Sequence, residues 1–490
     1  MNLKEIFNVI GHLLILLAFI LFVPLSVSLY FHQPASPGYL GEYQSFGLTA
    51  LLAGLTGFLF WKFFPHGIES LREREGFVIV AFSWITLPLF GALPYWLTGV
   101  CPEFTNAYFE SISGFTTTGA TVLTHLESVP RGVLFWRSMT QWLGGMGIIL
   151  LYLAIFPALG LGSFHMFRAE VPGGITVERM QPQLVHSAKV LWKTYVVLTA
   201  VEIILLWLGG MTLFDSVCHA FSTLSTGGFS TYNDSIEHFQ SLYLQMVLLF
   251  FMFLAGINFA LHFNLIHGYF NDIFNNPELR FYTASVLIFI FLTAWGLSHA
   301  HPDLQTGDVF RKAAFTVVSL HTTTGFTVDD FNLWPTPIKV ILLGLMMMGA
   351  CSGSTCGSIK SIRILILLRM IVREIKKLIH PQAVIHLKIG QKNVSPEYQS
   401  NAVTVTALFT AVGGLSFLLL TFMGLDTETA GSATFATLFN TGPGMGLVGP
   451  SGDYSVIPAP GKWLLILNML MGRLEFFSII LLFIPLAWRK

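Results

Sequence analysis

Long apolar blocks separated by short polar joints dominate this chain, and their lengths predict its elements. Blocks long enough to cross hydrocarbon, about 20 residues each, fall near 6–31, 40–64, 76–98, 131–157, 186–210, 238–268, 277–299, 335–380, 397–424 and 460–488. That pattern predicts ten crossings. The 335–380 block is too long for one simple span, and Gly349-Ala350-Cys351-Ser352-Gly353-Ser354-Thr355-Cys356-Gly357-Ser358 interrupts it with residues that disfavour a helix interior. It reads as one broken helix.

Four shorter segments sit between these blocks: Glu103 to Phe115, Leu213 to Leu224, Asp308 to Leu320 and Thr427 to Phe439. Each is half the length of a span and runs into Ser/Thr residues followed by glycine. The strings are Phe115-Thr116-Thr117-Thr118-Gly119-Ala120, Ser225-Thr226-Gly227-Gly228-Phe229, His321-Thr322-Thr323-Thr324-Gly325-Phe326 and Phe439-Asn440-Thr441-Gly442-Pro443-Gly444. Their glycines recur roughly every hundred residues, and regular recurrence signals architecture. The unit reads as span, re-entrant half-helix, extended loop, span. Two full crossings return the chain to its starting side, so four such repeats share one orientation around an axis along the membrane normal, unlike inverted repeats. The predicted fold is an all-α polytopic membrane protein. It divides into a helix pair (1–70) and repeats over 71–160, 183–268, 276–380 and 395–490, arranged around a pseudo-fourfold pore.

Composition fixes the solvent. Hydrophobic residues make up 53% and charged residues 11%, and the mean hydropathy is +0.68, which excludes an ordinary soluble domain. A formal net charge of zero and the absence of a basic tract interleaved with aromatics give no case for nucleic acid. The four cysteines, Cys101, Cys218, Cys351 and Cys356, show no zinc spacing and are expected to be reduced. The first block lacks a convincing cleavage site and reads as a retained membrane helix.

Arg363, Arg369, Arg373, Lys376, Lys377, Lys388 and Lys392 crowd one connection, joined by Lys4, Lys62, Arg72, Arg74, Arg489 and Lys490. The positive-inside rule makes that side, and both termini, cytoplasmic. Glu42, Glu103, Glu127, Asp215, Asp234, Glu237, Asp303, Asp308, Asp329, Asp330, Asp426, Glu428 and Asp453 fall on the other side. Together they would make an acidic mouth that gathers cations, although any single one reads as an ordinary solvated loop residue.

Irregular backbone at membrane depth is tolerated only where protein buries it or it lines a wet cavity. Carbonyl oxygens can replace the hydration shell of a monovalent cation, and glycine permits the required dihedrals. The candidate filter is therefore Thr117, Thr118, Gly119, Ser225, Thr226, Gly227, Thr323, Thr324, Gly325, Asn440, Thr441 and Gly442, with the hydroxyls of Thr118, Thr226, Thr324 and Thr441 as further oxygens. No Asp or Glu interrupts the four strings, which argues against a divalent carboxylate ring.

These residues also carry a resemblance. Gly114 to Thr121, Ser225 to Ser230, Gln141-Trp142-Leu143-Gly144-Gly145-Met146-Gly147 and Gly353-Ser354-Thr355-Cys356-Gly357-Ser358-Ile359-Lys360 resemble the Trk/Ktr/HKT potassium transporters, most of all their bacterial TrkH-type members, over essentially the whole chain. The resemblance implies potassium bound at filter glycines Gly119, Gly227, Gly325 and Gly442. It further implies a homodimer in the bacterial inner membrane, one pathway per subunit, and control by cytosolic TrkA-type subunits that carry the nucleotide. Glycine at 119, where some sodium-transporting plant relatives have serine, leans toward potassium.

Small residues at Gly349, Cys351, Ser352, Gly353, Ser354, Thr355, Cys356 and Gly357 could block or clear a narrow passage, making 349–358 the candidate gate. The loop grazes a phosphate-loop pattern without meeting it. Arg473 lies within the last apolar block, where a charge is expensive and usually functional. By the resemblance it stands beside the pore and raises the barrier to cations, the alternative being a pairing with Glu475. Asn258 and His262, four apart, could line the inner vestibule or make an interhelix contact. Lys360 and the basic helix after it face the cytoplasm, to dock a partner or anionic lipid.

Two other classes compete. An intramembrane enzyme lacks support, since no His-Glu-x-x-His, Gly-x-Ser-x-Gly or paired membrane aspartates occur. A proton- or sodium-coupled secondary transporter of another monovalent cation is the other rival. Parallel fourfold repeats fit a central pore better than inverted repeats rocking about a midplane site, and no membrane carboxylate stands out as a proton carrier.

Overall fold

The computed structural model describes residues 3–64, 73–147, 181–266 and 268–488, and these are overwhelmingly helical. In chain order the helices are α1 (Leu3–Ile20), α2 (Phe22–Phe31), α3 (Glu42–Phe63), α4 (Glu73–Leu97), α5 (Phe104–Phe115), α6 (Arg131–Gly145), α7 (Gln181–Leu208), α8 (Leu213–Leu224), α9 (Leu242–Ala255) and α10 (Phe259–Ile266). There follow α11 (Phe270–Phe274), α12 (Pro277–Ala300), α13 (Thr306–His321), α14 (Thr336–Met347), α15 (Ser361–Ile379), α16 (Pro396–Phe422), α17 (Thr427–Leu438), α18 (Ala459–Arg473), α19 (Phe477–Phe483) and α20 (Pro485–Trp488). A two-residue antiparallel pair, Lys388–Ile389 with Lys392–Asn393, closes the turn after the basic helix.

Among the described residues, six stretches are long and apolar enough to cross a membrane: Leu3–Phe31, Glu42–Phe63, Arg74–Leu97, Ala188–Leu208, Pro277–Ala300 and Pro396–Phe422. Several turn large apolar side chains outward, such as Leu51, Leu208, Phe291 and Phe422, as a lipid-facing surface requires. α1 and α3 cross so closely at Gly11 and Gly57 that a side chain on either would strike the other's backbone, the small-residue packing by which membrane helices associate.

The remaining expected crossings are not continuous helices. α9 and α10 meet at a 103° bend, where Gly256-Ile257-Asn258 leaves the helix, so the 238–268 block is broken rather than straight. The 460–488 block is likewise interrupted, between α18 and α19, at Glu475 and Phe476, both of positive φ. The 131–157 block is described only to residue 147 and leaves the helix after Gly145. The 335–380 block separates into α14 and α15 around residues 348–360. Every one of these four blocks follows a half-length helix.

Three of the four breaks lie at close glycine contacts with the half-length helices. A Cβ on Gly144 would strike the Phe115 carbonyl at the end of α5, and one on Gly472 would strike the Leu438 carbonyl at the end of α17. One on Gly145 would meet Ser225, and one on Gly357 would meet the Phe439 carbonyl. The glycines let these second spans press against the ends of the half-length helices, and the freed backbone groups find partners in neighbouring loops.

Candidate ion-conducting site

Each half-length helix ends in the same hairpin, built from local hydrogen bonds. The Thr118, Gly227, Thr324 and Thr441 amides donate to carbonyls five residues back, at Ser113 (2.9 Å), Ser222 (2.8 Å), Ser319 (2.8 Å) and Ala436 (2.8 Å). This is the six-to-one bond of a left-handed helix terminus. It places Thr117, Thr226, Thr323 and Asn440 at φ of 54°, 54°, 56° and 52°. Two residues later, Gly119, Gly228, Gly325 and Gly442 take φ of 83°, 74°, 85° and 97°. The second hairpin is therefore matched through Gly228, and Gly227 stands level with Thr118, Thr324 and Thr441. Aligning Gly227 with the other three glycines is off by one residue, because a Gly-Gly pair offers two alignments that only the backbone dihedrals separate.

The four hairpins close on one another in order. A methyl group on Gly119 would collide with the Gly227 carbonyl oxygen, on Gly228 with that of Thr324, on Gly325 with that of Thr441, and on Gly442 with that of Thr118. The cycle is complete: first to second, second to third, third to fourth, fourth to first. All four helix C-termini end at this ring, so the negative ends of their dipoles face it and favour a cation.

Thr116, Thr117, Thr118, Ser225, Thr226, Thr322, Thr323, Thr324, Asn440 and Thr441 are completely buried. Among the described residues, the carbonyls of Thr117, Thr118, Thr226, Thr323, Thr324, Asn440 and Thr441 accept no hydrogen bond from the protein. Buried carbonyls are normally paired, so this cluster offers a ligand a shell of neutral oxygens. The Gly227 carbonyl differs, since the Gln141 amide nitrogen donates to it at 2.6 Å while the Gln141 oxygen accepts from Phe229 N–H at 3.0 Å. Most of the threonine hydroxyls named as extra ligands turn behind the ring. Thr118 pairs with Thr116 at 2.8 Å, Thr324 with Thr322 at 2.7 Å, and Thr226 donates to the Ser225 carbonyl at 2.7 Å. Thr441 Oγ1 alone of these four is buried without a protein partner.

Above the ring lies a cavity of ≈ 160 Å³ lined by Gly119, Gly228, Gly325 and Gly442, with Arg137, Asn233, Asp453 and Tyr454 in its wall. Tyr454 reaches down to donate to the Gly442 carbonyl at 2.8 Å. Arg137 and Glu110, which the sequence reading did not single out, form a buried pair at 2.6 Å. Glu110 also accepts from Thr121 Oγ1 (2.9 Å) and Val122 N–H (3.0 Å), while Arg137 donates to the Ser230 carbonyl (2.8 Å) and lies over Phe229. The pair braces the segments leaving the first two hairpins. Its signal was two opposite charges inside apolar or half-length segments.

The acidic mouth is smaller than the sequence count. Glu42 is buried and accepts from Gly132 N–H at 2.7 Å, tying α3 to α6. Asp215 is buried against Thr212 and Thr231. Asp308, Asp329 and Glu428 pair with Arg311, Lys312 and Lys339. Asp234 and Glu237 remain exposed, beside Asn233 and Ser235 of the cavity wall.

Beneath the ring, residues 348–360 pack against three of the hairpins. Gly357 N–H donates to Thr323 Oγ1 (2.9 Å), Thr355 Oγ1 to the Leu224 carbonyl (2.9 Å), and Gly357 lies against Asn440. Arg473 completes the contact by donating to Thr355 O (2.8 Å), Thr117 Oγ1 (3.2 Å), Gly144 O (2.7 Å) and Gly145 O (2.9 Å). It does not pair with Glu475, which is bound by Arg363 instead. The loop also fills the α9–α10 break, with Cys351 N–H donating to Gly256 O (3.0 Å) and Phe259 N–H to Gly353 O (3.1 Å). Asn258 packs on Gly353 and accepts from Ala260 N–H at 2.9 Å, and His262 reaches Leu254 O at 2.9 Å. Both residues brace the break. Lys360 turns back to donate to the Cys356 carbonyl rather than outward to a partner. Cys351 and Cys356 are buried and free, as are Cys101 and Cys218.

Among the described residues no group of three or more His, Cys, Asp or Glu converges as a metal site; the ring is made of neutral oxygens.

Comparisons with known proteins point to one family. The TrkH family model, described as a cation transport protein, matches residues 49–489. The chain is 39% identical to the Trk system potassium uptake protein TrkH of Halomonas elongata and 37% identical to that of Escherichia coli K12, each over 100% of both chains. The crystal structure of the potassium transporter TrkH from Vibrio parahaemolyticus superposes with a TM-score of 0.87 at 35% identity, again over 100% of both chains. The chain belongs to the TrkH family of cation transport proteins.

Proposed function

We propose that this chain carries potassium across the bacterial inner membrane through the four-hairpin ring, as the membrane subunit of a Trk system. The observation that carries the reading is the set of buried carbonyls at Thr117, Thr118, Thr226, Thr323, Thr324, Asn440 and Thr441 that no protein group satisfies. A dehydrated alkali cation between them recovers that lost pairing, helped by four helix dipoles. The filter consists of residues 117–119, 226–228, 323–325 and 440–442, with Ser225 behind it. The relatives' names, Trk system potassium uptake protein, support potassium as the cargo.

In this reading the helix pair over 1–70 flanks four pore repeats at 71–160, 183–268, 276–380 and 395–490. The 349–358 loop and Arg473 form the gate. The loop stands directly under the ring and Arg473 fastens it there, placing a positive charge in the cation's path. The chain forms a homodimer with both termini cytoplasmic, and TrkA-type subunits bring the nucleotide signal. Uptake of labelled rubidium into proteoliposomes, competed with sodium and lithium, tests the filter. Competition by sodium and lithium equal to that by unlabelled rubidium overturns it.

One observation favours coupled transport as a second reading. Glu202 on α7 is completely buried, and neither carboxylate oxygen has a hydrogen-bond partner among the described residues. Thr223 lies beside it but donates its own hydroxyl to His219 O at 2.7 Å. The sequence reading passed over this carboxylate, although a lone glutamate inside an apolar block was the visible sign. Reversal potentials under crossed potassium and proton gradients decide between flow and symport.

A further inference from the structure

The loop beneath the ring has a second set of ties, on the side away from the hairpins. Glu278, in the first turn of α12, presents Oε1 to the Ser352 N–H at 2.6 Å and to the Ile362 N–H at 3.2 Å. Ser352 lies near the start of the loop and Ile362 lies just past its end, in the first turn of α15. One carboxylate oxygen thus gathers both flanks of the same irregular segment. The Ile362 amide is one of the orphan donors at a helix N-terminus, where a negative charge is additionally favoured.

The platform under Glu278 is rigid. Asn276 caps α12 through hydrogen bonds from Glu278 N–H (2.9 Å) and Leu279 N–H (3.0 Å), and Pro277 opens the helix. The flanks are further zipped by Gly349 N–H to Ile359 O (2.8 Å) and Ser361 N–H to Ala350 O (3.0 Å). The loop therefore rests between two anchors. Neutral bonds to Thr323 and Leu224 and a charge-assisted bond from Arg473 hold its tip to the ring, and a charge-assisted bond to Glu278 holds its base closed.

We infer that Glu278 is a positioning residue for the gate: its carboxylate clasps both flanks of the 348–360 loop and holds that loop under the ion ring. The inference rests on the reading of the loop as a gate. Swinging the tip aside moves Ser352 relative to Ile362, and a single oxygen cannot follow both amides. Release of the clasp is therefore part of opening. Glu278 touches none of the ring hairpins in its hydrogen bonding, so it governs how often the passage is clear and not which ion it admits.

The test compares E278A and E278Q with the unaltered protein in a C101S/C218S background, by two independent measurements. Rubidium flux into proteoliposomes is expected to rise about tenfold in E278A, the factor that 1.4 kcal/mol represents, with an unchanged rubidium-to-sodium ratio. Labelling of Cys351 and Cys356, now 1% and 2% exposed, by an impermeant maleimide is expected to quicken in step. E278Q, which keeps the shape without the charge, falls between, and it carries the test with the same sign where E278A does not accumulate in the membrane. Unchanged flux with unchanged labelling overturns the inference, and so does a flux change that comes with an altered ion ratio. Deleting 352–354 in parallel separates the two readings. If the deletion leaves flux unaltered, the loop is not the gate. If the deletion raises flux while E278A and E278Q do not, the loop is the gate and Glu278 is not its clasp.

Discussion

The ring and the loop beneath it are both irregular backbone at membrane depth, yet they are specified in opposite ways. Each ring hairpin is fixed from within, by its own six-to-one bond and two left-handed residues, and the pattern is repeated four times. The 348–360 loop occurs once and is held from outside, by Thr323, Leu224, Gly256, Glu278 and Arg473 from five other segments. A locally closed turn keeps its geometry when its surroundings shift. A segment held by distant partners moves when those partners let go. On the proposed reading, ion discrimination falls to the first and opening to the second.

The comparison breaks most severely at the second hairpin. Gly228→Ala places a Cβ at φ 74° and against the Thr324 carbonyl, whereas the atoms nearest the Cβ of Gly227→Ala belong to the Gln141 side-chain amide and not to backbone, at a level where the other hairpins carry threonine. Left-handed strain alone costs about 1–2 kcal/mol, and backbone overlap adds to it. Rubidium uptake is expected to fall by about tenfold or more in Gly228→Ala and to survive largely in Gly227→Ala. Equal loss in both variants returns the register to Gly227.

Stability separates the braces from the proposed gate. Arg137→Ala strands Glu110 as a buried charge, and breaking such a pair from one side costs about 3–5 kcal/mol. Thermal unfolding in detergent is expected to drop accordingly, with flux per folded molecule reduced because Phe229 and Ser230 lose their support. Arg473→Ala acts on the other region. It removes the ties from Thr355 to Thr117, Gly144 and Gly145, so uptake is expected to rise severalfold while ion preference stays. Unchanged uptake in Arg473→Ala removes its barrier role.

The same contrast explains what could be read from residues alone. Half-length helices announce themselves by length and by the Thr-Gly ends of α5, α8, α13 and α17, because local bonds write local signatures. Interrupted second spans were legible only at 349–358, where many small residues cluster. Gly256 and Gly472 each stand almost alone in an apolar block, and a single glycine in a helix is tolerated; only the carbonyl or side chain packed against it shows why the helix must yield. Pairings such as Glu110 with Arg137, or Glu278 with Ser352, join residues 27 and 74 positions apart, and no periodicity encodes them.

The smallest expected effect lies at the outer mouth. Three of the carboxylates there are ion-paired, but Glu237 is largely exposed, and its residual burial followed by the charges of Asp329 and Asp234 holds its carboxyl above the usual range, with Lys312 opposing. A raised carboxyl takes up its proton at a higher pH than an ordinary one, so the mouth loses the Glu237 charge early as pH falls. The local potassium concentration, and with it the uptake rate below saturation, is expected to decline modestly as the outer pH drops through that raised value. The decline belongs to low ionic strength, since at 0.1 M salt the screening length is about 10 Å. Glu237→Gln should flatten the pH profile in dilute buffer and leave it unchanged in concentrated salt. A pH dependence that persists in Glu237→Gln at both ionic strengths moves the titrating group away from the mouth and toward the buried Glu202, which surface screening does not reach.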